Sequence, residues 1–442
     1  MTIEFDTSPT APRALEDAES ALREPTPTEL FRQEAGPRRG LVLLLVLATI
    51  GAGAAQMSAA LLTLTLKASV ISGDAATTTI SISSGIAGLF TLFALPIVGS
   101  LSDRSRSVFG RRRPFLVAAS VAFAAGGTLL ILAPNVALFV VAHLLITTGF
   151  VAAGVTITAL IADQLPPERR GSATAFLSIG TPVGALFGMA VAVPFGDQLV
   201  PLIGIPTALA VGTLLLLVVM LRDPKFDEPR AAFDLRRLVG VFWVNPVRHP
   251  AFAFIFTSRM LVFSAVAALN GYQAIFLLQR LHLEAAALGG AILLTVVVNV
   301  GVTLLVAPVV GRISDRLGIR KPFILVAAVI LGVGLVVAAM APDFGVYLIA
   351  CGIVGLGQGV YFAVELALAT QVLPDPENPA KDLGILKIAD NLPVSIVAAV
   401  APALLAIGAA SAADPNFAAL FLAGAVSAIV GGFVILLVKG AR

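Results

Sequence analysis

The sequence predicts an all-α membrane protein of twelve transmembrane helices in two pseudo-symmetric six-helix bundles. Three observations carry that prediction. Of 442 residues, 58% are hydrophobic and only 12% are charged, about half the charge a soluble domain needs to cover a water-facing surface. The apolar residues gather into twelve runs, each long enough to cross about 30 Å of hydrocarbon at 1.5 Å per residue. Landmarks in the first half of the chain recur in the second at a fixed spacing.

Residues 1–37 hold eight acids and much Pro and Thr. They start acidic where a secretory signal starts basic, and they read as a disordered cytoplasmic tail. The first six runs fall at 40–66, 79–101, 115–133, 136–163, 172–194 and 202–221. The second six fall at 251–278, 287–311, 322–341, 345–372, 384–409 and 416–438. Lipid cannot satisfy backbone N–H and C=O groups, and runs this long and uniform are helices rather than barrel strands. The predicted units are a bundle at 38–221, a cytoplasmic linker at 222–250, a bundle at 251–438 and a short cytoplasmic tail at 439–442. Within the linker, Leu235–Val244 holds two arginines and Trp243, the one tryptophan, and reads as an amphipathic segment at the membrane surface.

Loop charge sets the orientation. The loops after even-numbered runs hold eighteen Lys and Arg, and those after odd-numbered runs hold two, Lys67 and Arg280. Positive loops stay cytoplasmic, so both termini are expected inside. Arg outnumbers Lys 23 to 6 and Ala is abundant, a composition that suits a GC-rich bacterial genome, so the expected location is a bacterial inner membrane. The net charge of +3 is spread over short loops and implies no nucleic acid. One cysteine, Cys351, and one histidine well inside a span, His143, leave no Cys- or His-cluster metal site. No cofactor is expected. No phosphate loop, His-Glu-x-x-His or Gly-x-Ser-x-Gly occurs, which speaks against an enzyme or an ATP-driven pump.

The repeat is explicit. Pro114-Phe115 opens the third run and Pro322-Phe323 the ninth, while Pro166 closes the fourth and Pro374 the tenth, both at an offset of 208. Gly99-Ser-Leu-Ser-Asp103-Arg104 follows the second run and Gly311-Arg-Ile-Ser-Asp315-Arg316 the eighth. Shared offsets argue for duplication of a six-helix unit. The second loop runs on through Gly318, Arg320 and Lys321, and the first through Gly110, Arg111, Arg112 and Arg113 with four extra residues.

These loops resemble the signature loop of the major facilitator superfamily, Gly-x-x-x-Asp-Arg-x-Gly-x-Arg-Lys, which is complete in the second half. The stretched first copy, with Gln56-Met-Ser, Ser258-Arg259, Tyr272-Gln273 and Leu373-Pro-Asp-Pro, is similar to the glycoside–pentoside–hexuronide cation symporters, the sucrose–proton symporters and their bacterial relatives. The superfamily resemblance implies alternating access about a central cavity lined by helices 1, 7, 8 and 10. It implies a gating role for Gly99, Asp103, Arg104, Arg111, Arg112, Gly311, Asp315, Arg316, Arg320 and Asp163. The alternative for the basic loops is topology determination alone. Physically, Gly99 and Gly311 suit close helix approach, and Asp103 and Asp315 can accept from loop arginines. Asp163 lies beside Arg169 and Arg170 in sequence. Two departures stand out: the second run lacks the aspartates of sodium-coupled relatives, and of the two charged residues in the sucrose carriers' Arg-Ala-Leu-Leu-Ala-Asp only Asp163 is kept, Thr158 standing in place of the arginine.

Ionisable groups inside spans are costly and need a reason. Arg259, Glu365, Lys387 and Asp390 lie at similar depth in the seventh, tenth and eleventh runs, which suggests one cluster. Glu365 is the leading candidate to bind a coupling proton, with Arg259 or Lys387 responding; Asp390 is the second, and His143 is a possible shuttle. A static ion-pair network, or a packing hydrogen bond for His143, is the plain alternative. Gln56, Asn270, Tyr272, Gln273, Asn299, Gln358 and Tyr361 are the large neutral polar side chains in spans; they suit a polar uncharged solute, or interhelical packing. The leading functional expectation is a proton-coupled importer of a sugar or glycoside, active as a monomer in the lipid bilayer of the plasma membrane. The alternatives are a proton-driven exporter of drugs or metabolites, for which Gly180-Thr-Pro182-Val-Gly184-Ala-Leu-Phe-Gly188 is a faint signal, and a non-transporting sensor.

Overall fold

The computed structural model describes residues 40–105, 107–223, 245–246, 248–374, 379–409 and 415–438. The expected N-terminal tail, most of the linker including Trp243, Arg236 and Arg237, and the C-terminal tail lie outside the described residues. All regular structure among the described residues is helical.

In the first half, α1 comprises Leu41–Ser58, a π-helical turn at Ala59–Thr63 and Leu64–Ser72. It is followed by α2 (Ala76–Arg104), α3 (Arg113–Leu132), α4 (Val136–Gln164), α5 (Pro167–Ala190) and α6 (Leu199–Met220). The second half holds α7 (Pro250–Gln279), α8 (Ala285–Leu317), α9 (Lys321–Ala339), α10 (Phe344–Ala369), α11 (Pro379–Ala406) and α12 (Phe417–Val434).

Eleven helical stretches are long and apolar enough to span a membrane, because α1 and α2 form one helical path of 64 residues, Leu41–Arg104. Straight, such a path would reach about 96 Å, some three bilayer cores. It turns back instead at Gly73, whose φ of 50° is open to glycine. The first run therefore reaches Ser72 rather than 66. Lys67, expected in a loop, is buried in the last turns of α1 and donates to the Ile131 carbonyl at 2.8 Å.

The two halves repeat one another in packing as well as in sequence. In the first, α1 packs on α5 and α6, α3 on α4 and α6, and α2 on α4. In the second, α7 packs on α11 and α12, α9 on α10 and α12, and α8 on α10. Each contact has its counterpart six helices later. Between halves, α2 meets α11 and α8 meets α5, the one pairing being the symmetry mate of the other.

Small residues make these approaches possible, as in membranes generally. A Cβ on Gly184 would lie 2.3 Å from the Ile50 carbonyl oxygen, and one on Gly188 2.7 Å from that of Ala54. The glycine run of α5 is thus the face that seats α1. Gly99 and Gly311 behave differently from expectation. A Cβ there would meet Val155 at 3.7 Å and the Ala363 carbonyl at 3.9 Å, ordinary contact distances, so neither glycine marks a close crossing. Large apolar side chains such as Val121, Leu305 and Val426 are 61%, 76% and 62% exposed. An outward apolar surface of this kind is matched to lipid, not water.

Candidate functional site

The bundles enclose a cavity of about 1520 Å³ lined by α1, α2, α4, α7 and α11. It is closed at one end by contacts across the halves. Ser81 and Tyr272 share a hydrogen bond of 2.7 Å, and Thr77 donates to Gln279 at 3.3 Å. Deeper along α2, Gly88 lets that helix reach α11, since a Cβ there would fall 2.2 Å from Ser395 Oγ. The other end opens toward the face carrying the arginine-rich loops, where the Lys387 side chain is 71% exposed.

The lining is mostly apolar, with polar groups at two levels. Near the closed end stand Gln56, Ser84, His143, Thr147, Asn270 and Tyr272; near the open end stand Lys387, Asp390 and Asn391. Between them lie Leu92, Phe93, Phe150 and Phe263, together with Thr91, whose hydroxyl is spent on the Ala87 carbonyl at 2.9 Å. His143 is buried and its Nδ1 is 2.7 Å from Ser83 Oγ. Thr147, one turn further on the same face of α4, is 5% exposed, and its hydroxyl has no protein partner.

Three of the seven expected polar lining residues, Gln56, Asn270 and Tyr272, reach this cavity. The other four do not. Gln273 accepts from Thr295 between α7 and α8, and Asn299 donates to the Cys351 carbonyl between α8 and α10. Gln358 is buried off the cavity, and Tyr361 packs edge-on against Phe263 and Phe362. The expected lining by helices 8 and 10 is corrected to α2, α4 and α11. The reason is that α8 and α10 spend their polar groups on each other.

The charged residues of the second half do converge. Arg259 forks onto Asp390, Nε at 2.5 Å from Oδ1 and Nη2 at 3.1 Å from Oδ2, and its Nη1 is ion-paired with Glu365. Lys387 Nζ sits 3.1 Å from Asp390 Oδ2. Glu365 is 3% exposed and lies behind Arg259, whereas Asp390 reaches the cavity wall. The arginine also stacks over the Phe263 ring at 5.2 Å.

A second network holds the loop between α2 and α3. Arg112 donates to Asp163 at 2.7 Å, to Asp103 at 2.8 Å and to Ser102 at 2.7 Å, and Arg111 donates to Asp103 at 3.0 Å. Asp163 therefore pairs with Arg112, not with its sequence neighbours Arg169 and Arg170; Arg170 donates instead to the Leu165 and Ala162 carbonyls. Arg104 ends α2. In the second half the mate of this network is loose. Arg320 is 3.6 Å from Asp315, whose side chain is 72% exposed, and Arg316 is exposed in the last turn of α8. At the repeat offset, Asp163 is replaced by Gln371, so the second loop lacks the carboxylate that completes the first.

Asp223, which sequence reasoning passed over, accepts the backbone N–H of Arg112 at 2.5 Å and of Arg113 at 2.8 Å, capping α3. Arg113 in turn donates to the Leu221 carbonyl at the end of α6, and Lys321 donates to the Val438 carbonyl at 2.5 Å beyond α12. These two side chains stand at the same 208-residue offset. Asp223, Thr147 and Ser83 left no motif; the Thr- and Ser-rich start of α2 was the one available signal.

Twelve long helices among the described residues, in two symmetry-related bundles around a one-sided cavity, define a membrane transporter fold. The chain belongs to the Major Facilitator Superfamily, whose model matches residues 43–306 and 290–441. A stretch of 146 residues is 37% identical to the multi-drug resistance efflux pump PmrA of Streptococcus pneumoniae. It covers 32% of this chain and 32% of that protein, so the chain matches about a third of its curated relative's length. In fold it is similar to the nucleoside transporter NupG, with TM-score 0.69 and 15% identity over 90% of this chain and 100% of that one. It is also similar to a D-xylose-proton symporter, with TM-score 0.66 and 16% identity over 90% and 97%.

Proposed function

We propose that this protein is a proton-driven exporter of small amphipathic solutes that works by alternating access. The observation that carries the reading is the cavity lining. An apolar belt with polar groups at its two ends suits a solute with an apolar body and a few hydrogen-bonding groups. Four of the seven neutral polar residues that would have served a sugar are committed to helix packing. The partial identity with an efflux pump supports the same reading. Gln56, Asn270 and Tyr272 in the cavity favour sugar or glycoside import as the second reading.

In this scheme the structure stands open toward the cytoplasm, with both termini inside a bacterial inner membrane and one chain as the working unit. The loops around Asp103 and Asp315 are the gate that closes when the Ser81–Tyr272 end opens. Glu365 binds the coupling proton, with Asp390 the second candidate; Arg259 keeps its own charge and shifts its hydrogen bonds between the two when either is neutralised, Lys387 holds Asp390, and His143 lies on the cavity wall.

Reconstitution in proteoliposomes tests this. A labelled amphipath should move uphill against an imposed proton gradient and stop with an uncoupler. Gradient-driven accumulation of a labelled sugar, with no flux of any amphipath, would overturn it in favour of import.

A further inference from the structure

The inference rests on the transport reading above and names its solute class. Asp390 is the one carboxylate among the described cavity-lining residues, and it is held by two guanidinium nitrogens of Arg259 and by Lys387. Its charge is already answered. Near the closed end every polar group described is neutral in kind: amides at Gln56 and Asn270, hydroxyls at Ser84, Thr147 and Tyr272, and an imidazole at His143. Two of these residues carry a buried atom with no protein partner, the Gln56 Oε1 acceptor and the Thr147 hydroxyl, each set beneath the wall of the cavity that its residue lines. The Thr147 side chain is buried within the cavity wall with nothing of the protein to bond. The imidazole's Nδ1 is taken by Ser83.

A permanent cation entering this cavity would lose water and find no free negative charge, an unfavourable exchange in an apolar site. Aromatic faces offer a weak alternative, worth about 0.5–2 kcal/mol, and Arg259 already occupies that of Phe263. A neutral solute meets the opposite situation, since its donor and acceptor satisfy two groups that are otherwise buried and unmatched.

We infer that the closed end of the cavity is a recognition site for an uncharged hydrogen-bonding group, and that the protein takes neutral amphipathic solutes and excludes lipophilic cations. Gln56 receives a donor from the solute, and Thr147 donates to or accepts from it. The apolar body lies along Phe93 and Phe150.

The test uses full-length protein purified in detergent and equilibrium dialysis with two labelled probes. One is chloramphenicol, a neutral amphipath with hydroxyl and amide groups; the other is tetraphenylphosphonium, a lipophilic cation. Saturable binding of chloramphenicol, undisturbed by excess tetraphenylphosphonium, is expected. Thr147→Val should weaken it by about two- to tenfold with thermal stability unchanged, the value of one hydrogen bond. Gln56→Glu places a carboxylate at the closed end and should strengthen tetraphenylphosphonium binding by about tenfold or more. A purely structural role for Gln56 predicts no such gain. Tetraphenylphosphonium binding to the wild type as tightly as chloramphenicol, or saturable binding of neither, would overturn the inference. Failure of the transport reading is a separate result: no driven flux of any solute in proteoliposomes, whatever binds in detergent.

Discussion

Arg259 is asked to serve two carboxylates at once, and its guanidinium is built for that, with separate N–H groups facing Asp390 and Glu365. Counting Lys387, the four side chains sum to no net charge, so the cluster is balanced only while both acids are ionised. Removing the arginine strands a carboxylate that is 3% exposed. Breaking a buried pair in this one-sided way costs about 3–5 kcal/mol. Arg259→Ala should therefore lower the thermal unfolding temperature in detergent, and adding Glu365→Gln to it should restore a good part of the loss. A double variant no more stable than the single one would show that the pair is not coupled. Transport separates the roles further. Glu365→Gln mimics the protonated acid and should keep solute exchange in proteoliposomes while losing uphill movement; full proton-driven transport by this variant would return Glu365 to a structural role. The cluster was legible in the sequence because ionisable residues in apolar runs are rare enough to be noticed. Which of the four touches the cavity was not legible, because α7, α10 and α11 meet only in the fold.

The junction of α3 with the end of α6 shows how one element's end is held by another's. The first N–H groups of α3 have no partner within the helix, and Asp223 supplies the acceptor from beyond α6. The approach is tight: a Cβ at Gly110, where φ is 108°, would fall 2.4 Å from Asp223 Oδ2. Burial raises the Asp223 pKa above the ordinary carboxylate value, against the pull of the backbone N–H groups and Arg113. A carboxyl whose folded pKa is raised contributes most below its unfolded pKa and loses that contribution as pH climbs through the folded one. At neutral pH the charge is thus a cost, and the hydrogen bonds are the benefit. Asp223→Asn keeps an acceptor without the charge. It should be at least as stable as wild type at neutral pH and should lack the decline that the wild type shows on leaving acid. Asp223→Leu leaves buried N–H groups unmatched and should cost about 1–3 kcal/mol for each. Thermal melts across pH check both, and an Asn variant as damaged as the Leu variant would mean that the charge itself is needed. None of this was readable from sequence, where Asp223 is one acid in a charged stretch. The proline that opens α3 and the glycine turn before it were readable, because they depend on local backbone chemistry alone.

At the scale of the whole molecule, the repeat legible in Pro114 and Pro322 reappears as matched packing, each first-half contact having a partner six helices on. Hydropathy and loop spacing are sufficient for that much, because lipid fixes helix length and duplication fixes order. The path of α1 into α2 departs, where a turn of three residues joins two spans that hydropathy separates. If each half satisfies its own backbone, cutting the chain within 224–244 and co-expressing the pieces should give halves that co-purify. Failure to associate would count against two self-sufficient bundles. The contacts between halves then decide which way the cavity faces. On the closed side they include α2 against α11 at Gly88 and Ser395, the Ser81–Tyr272 bond and the Thr77–Gln279 bond. In the proposed alternating-access cycle these part while the loops around Asp103 and Asp315 come together. Gly88→Val adds side-chain atoms where a single Cβ already falls 2.2 Å from Ser395 Oγ and 3.1 Å from its backbone nitrogen. Backbone cannot yield as a flexible side chain can, so the variant should fold but be unable to close this end. Cysteines placed at Ser81 and at Lys387 report the two ends by labelling with a membrane-impermeant maleimide. Relative to a glycine at 88, valine should speed labelling at position 81 by several-fold and slow it at 387, with exchange and uphill transport both lost. Unchanged labelling at both positions would show that the α2–α11 contact is passive packing and that closure is controlled elsewhere.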